Sequence, residues 1–176
     1  MKRAALLISD GSEEIESLTP VDVLRRAGAD CRIISVRGLY ISGSRDITVK
    51  TDELIENADL SAYDAIIIPG GMPGARIISE NAKAVSEIKK AMVGGRLVAA
   101  ICASPAVVLA AHGLTAGRKL TCYPAENFIA AVEADGGRYT GKVVERDKNL
   151  ITASGPKAAM DFSLVICEYL GIVPAF

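Results

Sequence analysis

The chain has 176 residues, half of them hydrophobic and 23% charged, with a formal net charge of −1. That length suits one domain with a sizeable core, and the composition excludes a disordered chain or a strongly basic nucleic-acid binder. No run approaches the ~18 apolar residues of a membrane span. The apolar start at Ala4–Ile8 meets Asp10, Glu13 and Glu14 at once, so it reads as a buried strand of a cytoplasmic protein rather than a leader. The cysteines at 31, 102, 122 and 167 have no CxxC or zinc spacing, and there is a single histidine. A disulfide framework, a metal site and a bound cofactor are all unexpected.

Taken in chain order, short apolar runs alternate with amphipathic segments of helix length, the pattern of parallel strands joined by crossover helices. The chain opens with a strand over Ala4–Ser9 and a helix over Glu14–Ala27, followed by Gly28 at a left-handed cap position. A strand over Arg32–Val36 leads into segment 37–60, where a small antiparallel excursion is expected. Next come a strand over Ala65–Pro69, a helix over Ala82–Met92 closed by Gly94-Gly95, and a strand over Leu97–Ile101. A helix over Ser104–His112 closed by Gly113, a short strand over Lys119–Cys122 and a helix over Pro124–Ala134 follow. Val143–Arg146 and Leu150–Ala153 flank Asp147-Lys-Asn149 as a hairpin, and a helix over Lys157–Leu170 completes the pattern.

In open α/β sheets, ligands bind beyond the carboxyl ends of the strands. Three such ends carry polar or glycine-rich chemistry: Asp10-Gly-Ser-Glu-Glu-Ile-Glu16, Gly70-Gly-Met-Pro-Gly74 and Cys102. Cys102 stands where a strand turns into a helix, and unpaired amides at a helix start stabilise a thiolate, so its pKa is expected to fall from about 8.5 toward 7. The competing reading is a small core residue. Gly71 can bring its N–H to a ligand oxygen, and the N–H of Ala103 can point to the same place as an oxyanion hole; a simple chain reversal at Gly70-Gly71 is the alternative. Glu13, Glu14 and Glu16 suit an acidic first turn, while Ile15, Leu18 and Val21 can draw Glu16 inward, where burial would raise its pKa. Ten residues of helix place His112 about 15 Å from Cys102, too far to serve as its base. Cys31 and Cys167 read as core, and Cys122 ends a strand beside Tyr123-Pro124.

These motifs, together with Pro20-Val-Asp-Val-Leu-Arg-Arg-Ala-Gly28, Ser44-Arg-Asp46, Ala99-Ala-Ile-Cys-Ala-Ser-Pro105 and Ala153-Ser-Gly-Pro156, carry a family resemblance over nearly the whole chain. The chain resembles the ThiJ/PfpI superfamily, in the branch of the parkinsonism-linked protein deglycase and its bacterial relatives. The resemblance implies a flavodoxin-like three-layer α/β sandwich with a mainly parallel central sheet, forming a homodimer. It implies Cys102 as the reactive thiol, Glu16 as its protonated partner, and the amides of Gly71 and Ala103 beside the sulfur. Gly70, Tyr123, Arg45 and Arg26 would border the substrate or the dimer interface, with surface salt bridging as the alternative for the two arginines. One departure stands out: Tyr123 occupies the place of the family's histidine, and a phenol of pKa ~10 is a poor base at neutral pH. The implied chemistry is reactive-carbonyl handling of a glyoxalase or deglycase type on a small aldehyde. A peroxide-sensing cysteine that stops at sulfinate is the rival, and a small-substrate hydrolase or amidase is third.

Overall fold

The computed structural model describes residues 1–176. Eleven strands and five α-helices alternate as β1 (Arg3–Ile8), α1 (Glu14–Arg26), β2 (Asp30–Ser35), β3 (Tyr40–Ser42), β4 (Thr48–Lys50), β5 (Glu53–Leu54), β6 (Ala65–Ile68), α2 (Gly74–Glu80), α3 (Ala82–Val93), β7 (Leu97–Ile101), β8 (Lys119–Leu120), α4 (Glu126–Ala134), β9 (Arg138–Tyr139), β10 (Val144–Asp147), β11 (Leu150–Ala153) and α5 (Ala159–Leu170). The central sheet runs β10-β11-β7-β6-β1-β2-β5, parallel throughout except for the β10–β11 hairpin. Strands covered on both faces are near-continuous apolar runs, which is why Ala-Ile-Ile-Ile and Leu-Val-Ala-Ala-Ile form its centre.

Alternation along those strands feeds two cores. Ala5, Leu7, Ile66, Ile68, Val98 and Ala100 pack on one face against Ile78, Ile88, Leu109 and Val132. Ala4, Leu6, Ile8, Ile67, Ala99 and Ile101 pack on the other against Val21, Leu24, Phe162 and Ile166. The molecule is the expected three-layer sandwich. Phe162 is wholly buried, and truncating such a side chain costs about 3–5 kcal/mol.

Chain order reverses between β1 and β6: the chain builds outward through β2 and β5, then returns to the other side of β1. The crevice of a doubly wound sheet opens at such a switch point. The end of β7 lies one strand further along, so the loops after β1, β6 and β7 converge at one pole.

The excursion in 37–60 is the β3–β4 hairpin, docked on the first loop by Gly11 N–H to Ser42 O at 2.8 Å and Ser44 N–H to Ser12 O at 2.9 Å. Several elements differ from expectation, the two-residue strand β9 among them. The short helix α2 was not anticipated; it follows Met72-Pro73 directly and has no side-chain cap to announce it. The segment expected as an α-helix over Ser104–His112 is instead π-helical over Pro105–Leu109 and then 3₁₀ over Ala110–His112. Pro105 has no N–H to give to the ladder, and both Ala106 and Val107 reach back to the Ala103 carbonyl. The amide of Ala110 then reaches the carbonyls of both Ala106 and Pro105, the wide turn, before the segment closes in a 3₁₀ turn. The Lys119–Cys122 strand shortens to Lys119–Leu120.

Candidate functional site

The three converging loops are locked together before any ligand arrives. Glu13 N–H donates to Gly70 O at 3.0 Å, joining the loop after β1 to the loop after β6. Gly71 has φ +88°, and a β-carbon there would strike the backbone of Gly11 and Glu13, so only glycine lets these loops meet. Ser104, wholly buried just after the cysteine, donates its hydroxyl to Pro69 O at 2.5 Å and ties the loop after β7 to the loop after β6.

Cys102 sits at the centre with φ +64°, a left-handed conformation uncommon for a residue with a β-carbon. Its N–H donates to Ala153 O at 2.9 Å and its carbonyl accepts from Tyr123 N–H at 2.8 Å, so the strained residue is held from both sides. This sharp strand-to-helix turn thrusts the side chain toward the neighbouring loop, as in the elbows that present nucleophiles in other α/β enzymes. A β-carbon on Gly70 would lie 2.6 Å from both Cys102 Cβ and Glu16 Oε2, so that glycine makes room for the pair.

Glu16 is fully buried on the first turn of α1. Glu13 caps that helix by accepting from Glu16 N–H at 2.8 Å, and Gly70 N–H donates to Glu16 Oε2 at 2.8 Å. Oε1 has no hydrogen-bond partner, and the Cys102 thiol is the neighbour that pulls the carboxyl's pKa down most strongly. Burial pushes the Glu16 carboxyl up to about 7, against the thiol and the Gly70 amide, which pull it down.

The thiol itself behaves contrary to the helix-start expectation. Burial raises the Cys102 pKa, and the charge and hydrogen bond of the Glu16 carboxylate raise it further. The neighbouring amides of Ala103 and Gly71 pull the other way, but do not prevail. The pair therefore accommodates one negative charge at a time, and protonation of Glu16 removes the influence that most disfavours a thiolate after burial itself. Chemically, this is a sulfur and a carboxyl sharing a proton beside two fixed N–H donors.

The structure thus brings Cys102, Glu16, Gly70, Gly71 and Ala103 together. Tyr123 is close through its backbone; the residue is 45% exposed and borders an open groove of about 460 Å³ with Pro124, Ser154, Gly155, Pro156 and Lys157. Arg45 is tethered nearby by its backbone N–H, which donates to Glu14 Oε1 at 2.7 Å, while its guanidinium reaches only Ser44 O. Arg26 is not brought to the site: it ends α1, about 15 Å along the helix from Glu16, and pairs with Asp22 at 3.1 Å. His112 contacts Ser79 at 3.0 Å, away from the thiol. Cys122 is wholly buried in the core and pushed up to about 11 by burial; Cys31 and Cys167 are buried as well. Cys102 alone of the four is partly accessible. Two contributors were not singled out from sequence, the Ser104 clamp and the latch made by Glu14 on loop 43–47.

A doubly wound sheet with an elbow cysteine and a buried glutamate at its switch point defines a class of α/β proteins built around a strand-end thiol. The DJ-1/PfpI family model matches residues 2–169, and the chain belongs to that family. It is 38% identical over 173 residues to the Parkinson disease protein 7 homolog of Danio rerio, covering 96% of this chain and 89% of that protein. It is 37% identical to protein DJ-1 homolog B of Arabidopsis thaliana, covering 92% of this chain but only 36% of that longer relative. Among solved structures, oxidized DJ-1 of Toxoplasma gondii superposes with a TM-score of 0.90 at 38% identity, covering 97% of this chain and 91% of that one. Drosophila melanogaster DJ-1beta superposes at 0.88 with 35% identity, covering 96% and 90%. The protein is of the DJ-1 type.

Proposed function

We propose that this protein converts small reactive carbonyls by a glyoxalase- or deglycase-type reaction at Cys102. The observation that carries this reading is the pairing of the accessible thiol with a buried carboxyl whose pKa of about 7 lets it both accept and return a proton at neutral pH. With methylglyoxal, Sγ bonds to the aldehyde carbon as its proton passes to Glu16. The oxyanion formed takes hydrogen bonds from the Gly71 and Ala103 amides, then receives that proton to give a hemithioacetal. Glu16 as carboxylate next removes the hydrogen on the former aldehyde carbon and returns a proton to the adjacent carbon, while the hydroxyl proton of the first carbon passes to the oxygen of the second. The first carbon is oxidised, the second reduced, and a lactoyl thioester results. Water cleaves it, releasing lactate and restoring the thiol. Tyr123 orients the substrate from the groove. Lactate production from methylglyoxal by wild type and Cys102→Ala tests the scheme; rates no faster than buffer in both would end it.

A second reading has its own support. The three other thiols are buried, and the amides at Cys102 suit sulfinate oxygens as well as an oxyanion. In this reading one peroxide converts the thiolate to sulfenate with release of water or alcohol, a second peroxide takes it to sulfinate, and Glu16 hydrogen-bonds the product. The solved Toxoplasma relative is described as oxidized, which favours the same chemistry here. Intact mass after graded peroxide distinguishes the two: selective gain of two oxygens at Cys102 supports sensing, whereas uniform oxidation of all four cysteines rules it out.

For either role we place the protein in the reducing cytoplasm as a homodimer, the exposed Ile15 and Ile47 beside the Glu14 latch supplying apolar interface. No helix is long and apolar enough to cross a membrane. Light scattering giving the mass of one chain would overturn the dimer.

A further inference from the structure

A polar cavity of about 320 Å³ lies at β8, β9 and β10, sharing no residue with the groove beside Tyr123. Its lining is Lys119, Arg138, Tyr139, Thr140, Lys142 and Glu145, three cations against one carboxylate in a chain whose net charge is −1.

The register makes this arrangement unusual. Lys119 and Arg138 are direct partners in the parallel β8–β9 pair, so two like charges stand side by side on one face. Such pairing is destabilising unless something neutralises it. Nothing in the chain does. Neither side chain forms an ion pair, and the neighbouring acid, Asp147, is held by Arg118 and by the backbone N–H of Lys119. At the floor, Glu145 is only 6% exposed; Lys142 approaches its Oε2 at 3.1 Å, yet that oxygen has no hydrogen bond of good geometry. Lys142 is thus neutralised from below, and the Lys119–Arg138 pair is left facing an open concavity that Tyr139 and Thr140 also line, the Thr140 hydroxyl donating to Leu120 O.

We propose that this cleft binds the phosphate group of a small molecule. A guanidinium fork and an ammonium one strand apart match a dianion's oxygens, Arg138 binding two of them and Lys119 a third. The cavity is at the lower end of the range of small-molecule sites. Its concavity and the acidity of the whole chain select a compact phosphate rather than a polyanion such as nucleic acid.

The test is a titration followed by amide chemical shifts, using inorganic phosphate and glycerol 3-phosphate against chloride at matched ionic strength. Saturable shifts centred on residues 119 and 138–142 are expected, weakened about tenfold by Lys119→Gln or Arg138→Gln. Tighter binding of glycerol 3-phosphate identifies a phosphomonoester ligand, and equal binding identifies free phosphate. Both side chains are exposed, so the variants fold, and in chloride their melting temperatures should equal or exceed that of wild type because a repulsion is removed. Non-saturating shifts, shifts centred elsewhere, equal binding by the variants, or a fall in melting temperature in chloride each overturn the proposal.

Discussion

Glu14 and Glu16 lie two residues apart on the first turn of α1, both buried, yet the fold drives their protonation in opposite directions. Burial works against the charge of Glu14, but its carboxylate accepts from Arg45 N–H at 2.7 Å, Ile47 N–H at 3.4 Å and the Ser44 hydroxyl at 3.2 Å, and these bonds lower its pKa overall. Glu16 has one backbone donor and a thiol, and its pKa rises. Both are shielded from solvent, but Glu16 lies far deeper, so heavier desolvation together with fewer N–H and O–H donors sets the outcome. The first glutamate is an anionic latch for a loop; the second is a proton store for a sulfur.

The largest break in that comparison is Glu16→Gln. The amide oxygen can still accept from Gly70 N–H, so the fold survives, but the side chain can no longer carry a proton. Lactate formation should fall by about 100-fold or more, approaching Cys102→Ala, in steady-state assays with matched protein concentrations. Retention of half the activity would remove Glu16 from the scheme.

Stability against pH separates the two carboxyls next. The folded pKa of Glu16 lies near 7 against an ordinary 4.5, so across that window the folded state binds more protons than the unfolded state. Its contribution is therefore complete below 4.5 and is lost as pH rises toward 7, about 3 kcal/mol in all. Glu14 has the opposite sign, stabilising above the ordinary carboxyl range and failing as acid protonates it. Urea unfolding at pH 5 and pH 8 should show wild type losing stability at the higher pH and Glu16→Gln losing almost none. Glu14→Ala should cost about 2 kcal/mol at both, because it strands two amides and a hydroxyl, while leaving the rate of Cys102 alkylation unchanged.

Legibility in the sequence followed the same division. Leu97–Ile101 and Leu150–Ala153 were readable residue for residue because a strand buried on both faces must be apolar throughout and is bounded by polar or glycine residues. Cys102 was readable as an elbow because its small neighbours follow a strand directly. Three adjacent acids look alike in one dimension, however, and only the third dimension shows that Glu14 meets loop 43–47, Glu16 meets a thiol and Glu13 caps the helix. The direction of the thiol shift was misread for that reason: the helix-start argument counts local amides, whereas burial and a carboxylate from the first turn of α1 outweigh them. Arg26, which the motif left between the site, a dimer interface and a surface salt bridge, ends α1 about 15 Å along the helix from Glu16 and pairs with Asp22.

The smallest expected effect belongs to Tyr123→Phe. Its ring leans on Gly155, whose φ of 156° and ψ of −166° suit a residue without a β-carbon, and its phenol is exposed with no partner inside the chain. Stability should change by less than about 0.5 kcal/mol. If Glu16 is the proton carrier, losing one substrate hydrogen bond should lower kcat/KM about fivefold and leave the pH profile centred on the carboxyl. Tyr123→His adds a group titrating near 6.5 at the same position and should superimpose a second inflection on that profile without replacing the first. A loss from Tyr123→Phe as large as that from Glu16→Gln would transfer the proton to the phenol, and the contrast between the two glutamates would then describe how the fold is built rather than how the thiol works.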